Sequence, residues 1–542
     1  MNHPGAGATL PPESRNTLED LFRRLDQLND VGASLSSEHD LDLLLEKIVL
    51  AAKRITRADG GTLYLLSDDR GALHFEIVRT DSLNIAFGGS SGQPTSGLFP
   101  DLPLYRPDGS PNDGMVAAYA AITGNTVNVA DAYAARGFDF SGTRQFDARS
   151  GYRSTSFLTV PMKNHEGEVI GVLQLINAID VSTGQVTPFS PADQRLAESL
   201  ASQAAVALSN RQLVHQLEAL FESFIRLINL AIDEKSPYTG GHCQRVPELT
   251  MMLAEAADAT TEGPLAGFKL TDRDRYELRI AALLHDCGKV TTPVHVVDKA
   301  TKLQTLFDRI HLIDTRCEVV RRDAEVRKWR RIAEGVPADE AEQRYHDFCR
   351  QLDDDRQALR EANIGCEKMR DEDIERVRRI AEAYRWRNPS GGEVPLLNGE
   401  EVENLTIRSG TLTVGERDII NHHIVATIRM LEQLPWPRHL KNVPEYAGGH
   451  HERMDGKGYP RGLRRGDMSW QARMMGIADI FEALTAKDRP YKEGMGLAQA
   501  LSVLEGFSRN GHIDADLHEV FVKAGVFRRY AEAFLGPQQI DC

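Results

Sequence analysis

One stretch of this chain constrains its architecture more than any other. From Ser190 to about Glu234 the apolar residues keep a helical period. Ser190 suits an N-cap, Pro191 the first helical position, and Asp193 lies in the first turn. Within the stretch, Leu213, Leu217, Leu220, Phe224 and Leu227 follow a 4-3-4-3 spacing, the seam of a coiled coil. One step earlier the seam falls on Asn210, a polar residue suited to fixing register. The seam reads in two ways. It packs on its own domain, or it is a parallel dimer helix that carries a signal onward. The second reading predicts a homodimer, with residues 190–229 as the connecting helix. A chain of 542 residues is in any case too long for one core, and two or three domains are expected.

On the N-terminal side, residues 1–20 are rich in Gly and Pro at their start and lack an apolar core. They read as a disordered tail and not as a signal peptide. Residues 25–189 mix helix and strand signals. Leu41, Leu44, Ile48, Ala51, Ala52 and Ile55 have helical spacing. Residues 62–66 and 73–78 read as strands around a turn at 68–71, and 156–162 and 169–176 as a second pair. Strands flanked by helices imply an α+β domain with one central sheet.

On the C-terminal side, residues 230–308 and 410–510 are helical and rich in histidine. Between them, 309–409 is dense in charge, as in Arg321-Arg-Asp-Ala-Glu-Val-Arg-Lys-Trp-Arg-Arg331, and reads as a helical insertion with solvated faces. Residues 511–542 form a C-terminal helical segment. The fold class is therefore multidomain: α+β, a long helix, then all-α with a charged insertion.

Composition excludes several functions. No apolar run approaches the roughly 18 residues of a membrane span. The six cysteines form no CxxC pair and read as free thiols of a cytoplasmic protein. A net charge of −15 opposes broad nucleic-acid binding. A small anionic substrate needs a local positive site, which metal ions supply.

The histidines are not spread evenly. His242 lies in Tyr238-Thr-Gly-Gly-His-Cys-Gln-Arg-Val246, and His285-Asp286 closes an apolar helix. His422 and His423 share a helix, His450 and His451 open a Gly-rich loop, and Asp479 interrupts an apolar helix. A carboxylate in an apolar stretch is costly to bury unless it is paired or binds metal. Imidazole and carboxylate donors without thiolate pairs suit Fe, Mn, Ni or Zn in a catalytic site. One ion needs three or four donors. His242, His285, Asp286, His423, His450, His451 and Asp479 suffice for two, with Asp286 able to bridge. Paired ions roughly 3.5–4 Å apart are a recurring solution for phosphate-ester hydrolysis, lowering the pKa of water towards about 7.

These residues resemble the HD-GYP family, a branch of the HD phosphohydrolases, over residues 234–492 apart from the insertion. His285-Asp-Cys-Gly-Lys289 resembles its HDxGK signature, and His450-His-Glu-Arg-Met-Asp-Gly-Lys-Gly-Tyr-Pro460 resembles HHExxDGxGYP in full. The resemblance implies hydrolysis of cyclic di-GMP to pGpG or GMP at two divalent ions, Fe or Mn foremost. It makes His242, His285, Asp286 and Asp479 ligands of the first ion. His423, His450 and His451 become ligands of the second, with Asp286 bridging. His423 is preferred to His422 because Thr427 and Leu431 fit the family's frame from it. Lys289 and Asp286 take catalytic roles, and Lys289, Tyr459, Arg489 and Lys492 contact substrate. Tyr238 stands where some members have a Glu that supports a third metal, and Glu482 stands where Asp is commoner. Cyclic GMP-AMP as substrate, or a non-catalytic receptor whose GYP loop docks a diguanylate cyclase, remain alternatives. Residues 25–189 resemble a GAF domain. Asn177, Phe189 and Asp193 match parts of its NKFDE pattern, whereas Ala178 and Gln194 break it. A small GAF ligand or a plain dimerisation module both fit.

Overall fold

The structure, a computed structural model, describes residues 12–38, 40–235, 241–366, 368–487 and 494–542. It divides into two compact units, Met1–Leu220 and Phe221–Cys542. Among the described residues no helix is long and apolar enough to cross a membrane.

The first unit contains helices α1 (Pro12–Ser37), α2 (Leu41–Thr56), α3 (Val116–Thr123) and α4 (Ser141–Ser150), and the start of α5 (Pro191–Lys235). Its strands are β1 (Ala58–Leu66), β2 (Ala72–Thr80), β3 (Ile85–Phe87), β4 (Leu102–Pro103), β5 (Val127–Val129), β6 (Phe157–Lys163), β7 (Val169–Ile179) and β8 (Val186–Thr187). They form one antiparallel sheet in the order β3-β2-β1-β7-β6-β5, with β4 beside β2 and β8 beside β7. Asp40 caps α2 by accepting from Leu43 N, and the helix ends on Arg57 in a left-handed conformation. Its inward face, Leu44, Ile48, Ala52 and Ile55, packs with Leu28, Val31 and Leu35 of α1 and Ala201, Ala204 and Leu208 of α5 against one face of the sheet. Each such Leu or Ile contributes roughly 1.5–3 kcal/mol when fully buried. The opposite face is covered by α3 through Ala117, Ala118 and Ala121 against Tyr64, Leu73 and Val172. Cover on both faces leaves β1 and β7 buried along most of their length rather than at alternate residues, and β7 is a nearly continuous apolar run.

The second unit is helical: α6 (His242–Asp258), α7 (Asp272–Leu284), α8 (Val294–Val297), α9 (Ile310–Ala333), α10 (Ala338–Asn363), α11 (Asp371–Ala383), α12 (Gly399–Leu405), α13 (Val414–Glu432), α14 (Val443–Gly448), α15 (Trp470–Thr485), α16 (Leu497–Arg509), α17 (Ala515–Lys523) and α18 (Val526–Phe534). One core joins Val246, Leu249 and Leu253 of α6, Leu278 and Ala281 of α7, Met474, Ile477 and Phe481 of α15, and Leu517, Phe521 and Tyr530. The insertion has its own core, including Ile313, Cys317, Leu352, Leu359, Val377, Ile380 and Leu405. Its charge runs face outward or pair across α9 and α10, as Asp314 does with Arg356 and Arg360 at 2.6 Å each.

Four expectations need correction. The tail is shorter than 1–20, because α1 begins at Pro12, and residues 1–11 lie outside the described residues. Asp20 of α1 pairs with Arg57 at 2.6 Å, which ties this helix to the end of α2. The connecting helix runs past 229 to Lys235. Residues 511–542 are not a separate segment, since Leu517, Phe521, Val526 and Tyr530 complete the core of the second unit. The insertion also holds a hairpin, β9 (Arg385–Arg387) with β10 (Glu393–Pro395), and is not purely helical.

Candidate metal centre

Three chain segments are folded so that their backbones meet. Thr271 caps α7 in a reciprocal box with Asp274, and the helix ends on buried Leu284 with His285 and Asp286 next. A 3-10 turn, Cys287–Thr291, follows and lies against α13. Gly288 allows this approach. A Cβ there would come within 2.0 Å of His423 O and 2.6 Å of Thr427 N, while Gly288 N donates to Thr427 Oγ1 at 2.9 Å. Helix α14 ends at Gly448, so His450 and His451 open the next loop. Buried Glu452 closes that loop by accepting from Arg461 N at 2.7 Å and Leu463 N at 2.9 Å. Gly458 is needed beneath it, where a Cβ would meet Arg453 N at 2.4 Å. Helices α6 and α15 add His242, Asp479 and Glu482.

The imidazoles are oriented by one repeated device. His285 Nδ1 donates to Ala282 O at 2.7 Å, His423 Nδ1 to Ile420 O at 2.5 Å and His450 Nδ1 to Ala447 O at 2.6 Å. Each ring bonds the carbonyl three residues earlier, so its proton sits on Nδ1 and its Nε2 lone pair faces inward. His242 Nδ1 meets Glu482 Oε2 at 2.5 Å, and Glu482 Oε1 accepts from Arg245 Nε at 2.8 Å. Asp286 lies at the centre. Its Oδ2 is 3.1 Å from His242 Nε2 and 3.2 Å from His285 Nε2, and its Oδ1 is 3.2 Å from His423 Nε2. Asp479 Oδ1 is 3.3 Å from His242 Nε2, and His451 Nε2 is 3.2 Å from His423 Nε2. Lys289 Nζ reaches Asp286 Oδ2 at 2.5 Å.

Donor atoms fall into three overlapping groups: His423, His450 and His451; His242, His285 and Asp479; His285, Asp286 and His450. Within each group they lie within 4.8 Å of one another. The Nε2 atoms of His285 and His450 are buried and have no hydrogen-bond partner among the described residues. Buried lone pairs aimed at carboxylates suit a cation between them.

Electrostatics leaves two of the imidazoles neutral and both carboxylates ionised. Burial pushes His451 down to about 4. Burial, with His451 and His285 beside it, holds His450 well below the ordinary imidazole value. Burial alone would raise Asp286, but Lys289 and His285 outweigh it and hold the carboxyl well below its usual range. His242 does the same for Asp479 against burial. Burial opposes charge on His242 too, yet the Glu482 carboxylate raises it well above the usual value. Lys289 is likewise raised, because Asp286 and Asp479 overcome its burial. Two ionised carboxylates thus draw positive charge to one spot.

All seven residues expected as ligands lie in this cluster, with Lys289. His423 is buried and His422 exposed. The Tyr459 ring stacks on His451 with centroids 4.9 Å apart. Arg489, Lys492 and Tyr238 lie outside the described residues. Sequence reasoning treated Glu482 only as a mild departure and missed its bond to His242. The available signal was its spacing of three from Asp479, which puts both on one face of α15.

Residues 40–208 match the GAF domain family, and 239–388 and 369–517 match two HD domain families. A 3′3′-cGAMP-specific phosphodiesterase of Vibrio cholerae is 41% identical over 81 residues, covering 15% of this chain and 19% of the relative. A second such enzyme of the same organism is 24% identical over 288 residues, covering 53% and 36%. A cyclic di-GMP phosphodiesterase of Pseudomonas aeruginosa is 38% identical over 117 residues, covering 22% and 27%. The matches span between 19% and 36% of these relatives' lengths. The chain therefore joins a GAF domain to an HD domain, an organisation consistent with GAF–HD-GYP phosphodiesterases.

Proposed function

We propose that this chain is a divalent-metal-dependent phosphodiesterase of a cyclic dinucleotide, cyclic di-GMP foremost, yielding pGpG or GMP. The observation that carries this reading is the set of inward Nε2 atoms on His242, His285, His423 and His450 around Asp286 and Asp479. His242, His285, Asp286 and Asp479 would hold one ion, and His423, His450 and His451, with Asp286, a second. Iron or manganese suits these nitrogen and oxygen donors, as nickel or zinc also does. Bound divalent ions supply a water nucleophile at neutral pH and offset charge on the phosphoryl oxygens.

The chain's own residues supply the rest. Protonated Lys289 stands at the edge of the cluster, where it can bond a phosphoryl oxygen. As a hydroxide oxygen bonds to phosphorus and the P–O3′ bond breaks, the departing oxygen needs a proton, which protonated Lys289 can give. Tyr459, stacked on His451, walls the site beside the substrate. Arg489 and Lys492 are proposed phosphate or base contacts.

The relatives named for 3′3′-cGAMP favour a second reading in which that dinucleotide is the substrate. Anaerobically prepared protein loaded with Mn(II) or Fe(II) should hydrolyse one of the two, and His285→Ala or Asp286→Ala should abolish turnover. Tight binding of cyclic di-GMP without hydrolysis by metal-loaded protein would instead make the chain a receptor, with docking of a diguanylate cyclase the role to test next. We place the protein in the cytoplasm as a homodimer. The seam residues Leu213, Leu217, Leu220, Phe224 and Leu227 are 47–63% exposed on α5, as a second copy requires. A small ligand of the GAF domain would act by shifting that helix.

A further inference from the structure

The last turns of α5 reach the backbone beside three residues of the centre. Asn229 is buried, and its Nδ2 donates to Leu283 O at 3.0 Å, two residues before His285. The N–H of Gly241, the residue before His242, opposes the rise that burial gives the Asp233 carboxyl. Lys235 Nζ donates to Lys289 O at 3.3 Å and Val290 O at 2.5 Å. Ile225 and Ile232, on the same helix, are buried in the core that holds α6 and α7.

Lys289 O also accepts from Thr292 N at 3.1 Å, so Lys235 is its second donor, whereas the bond to Leu283 O falls on the last turn of a helix. The last carbonyls of a helix have no intrahelical donor. At the end of α7, Ala282 O is taken by His285 Nδ1 and Leu283 O by Asn229. Beyond Asp286, the carbonyls of Lys289 and Val290 receive Lys235. One helix therefore fastens both ends of the turn that carries His285, Asp286 and Lys289.

We infer that Asn229 and Lys235 are positioning residues, which set the pose of the His285–Asp286–Lys289 turn from α5. Neither touches a reacting atom. A rotation of α5 about its own axis would break both attachments together and let Asp286 leave the midpoint between His242 and His423. This inference rests on the proposed reading of the site as a metal-dependent phosphodiesterase.

The test uses full-length protein and the variants Asn229→Ala, Lys235→Ala and Lys235→Arg. Amide hydrogen exchange over residues 284–291, in metal-free protein, should be at least 10-fold faster in both alanine variants. Mn(II) affinity, read by electron paramagnetic resonance, should fall about 10- to 100-fold, the usual effect of losing a partner that orients a ligand. Turnover of cyclic di-GMP should drop in kcat with KM little changed. Lys235→Arg, which donates to the same carbonyls, should recover most of each loss, and a global fold defect would not. Unchanged exchange overturns the inference, as does faster exchange with wild-type Mn(II) affinity. If wild-type protein binds no divalent ion, the proposed function fails, and exchange alone decides the attachment.

Discussion

Consider Glu482→Gln, which exchanges one fully buried oxygen for nitrogen at constant volume. The carboxylate serves two donors: Oε2 meets His242 Nδ1 at 2.5 Å, and Oε1 meets Arg245 Nε at 2.8 Å and Nη2 at 2.7 Å. An amide has one acceptor end. If its oxygen faces Arg245, its NH2 faces His242, whose proton must then move to Nε2, the atom beside Asp286 and Asp479. If its oxygen faces His242, its NH2 abuts the Arg245 guanidinium, a donor against a donor. Either way the first ion loses a prepared ligand. Removing such an outer partner lowers metal affinity about 10- to 100-fold, or roughly 1.4–2.7 kcal/mol. Metal-free protein should also lose about 1.5–3 kcal/mol of stability with its charge-assisted bonds. Calorimetric titration with Mn(II), beside urea unfolding of the metal-free form, measures both. Glu482→Asp keeps the charge but is one methylene short, so it should fall between. Wild-type Mn(II) affinity in Glu482→Gln would refute the argument that this bond selects the His242 tautomer.

Asp514, buried against Arg465 at 2.8 Å and Arg473 at 2.7 Å, is held below its usual value although burial alone would raise it. Its stabilisation is therefore present above the unfolded-state pKa of about 3.9 and is lost as pH falls through its lower folded value. Asp514→Asn should cost about 1.5–3 kcal/mol at neutral pH, with the gap to wild type narrowing below about pH 4, and urea unfolding across pH that shows a constant gap would contradict this. Asn177 sits at φ 57 and accepts from Thr155 N at 2.7 Å and Ser156 N at 3.2 Å. Asn177→Ala should destabilise the first unit by about 2–4 kcal/mol through lost bonds and left-handed strain. Asn177→Gly, which escapes the strain, should lose less, and equal losses in thermal unfolding would remove strain from the account. Leu217→Glu with Phe224→Glu should convert the proposed dimer to monomer in light scattering, and a monomeric wild type at micromolar concentration would end that reading.

The separation between what the residues announced and what they concealed has a physical pattern. Helices α2 and α5 were legible because a 3.6-residue period accumulates over several turns, and the central strands because apolar runs bounded by turns are distinctive. Strands β3, β4, β5 and β8 have two or three residues each, too few for a period to register. In the insertion, Ile313, Cys317, Val320 and Ala324 form an inward stripe on α9, but arginines and glutamates between them dominate the composition. The NKFDE pattern was readable only in part. Position 178 is Ala, and Asp193 pairs with Arg24 of α1 and accepts from Ser190 N at 2.8 Å at the start of α5.

The site divides in the same way. Side chains that face a cation advertise themselves, because His and Asp are seldom spent in apolar segments. Their supports do not. Three of the four inward imidazoles are oriented by backbone carbonyls, which every residue possesses. Asn229 and Lys235 likewise act on carbonyls, so no pairing of residue types points to them. A letter pattern can therefore name the atoms that would touch an ion while staying silent on the helix that holds them still. Substitutions along the last turns of α5 are the place where a chain with every signature residue intact could still lose its chemistry.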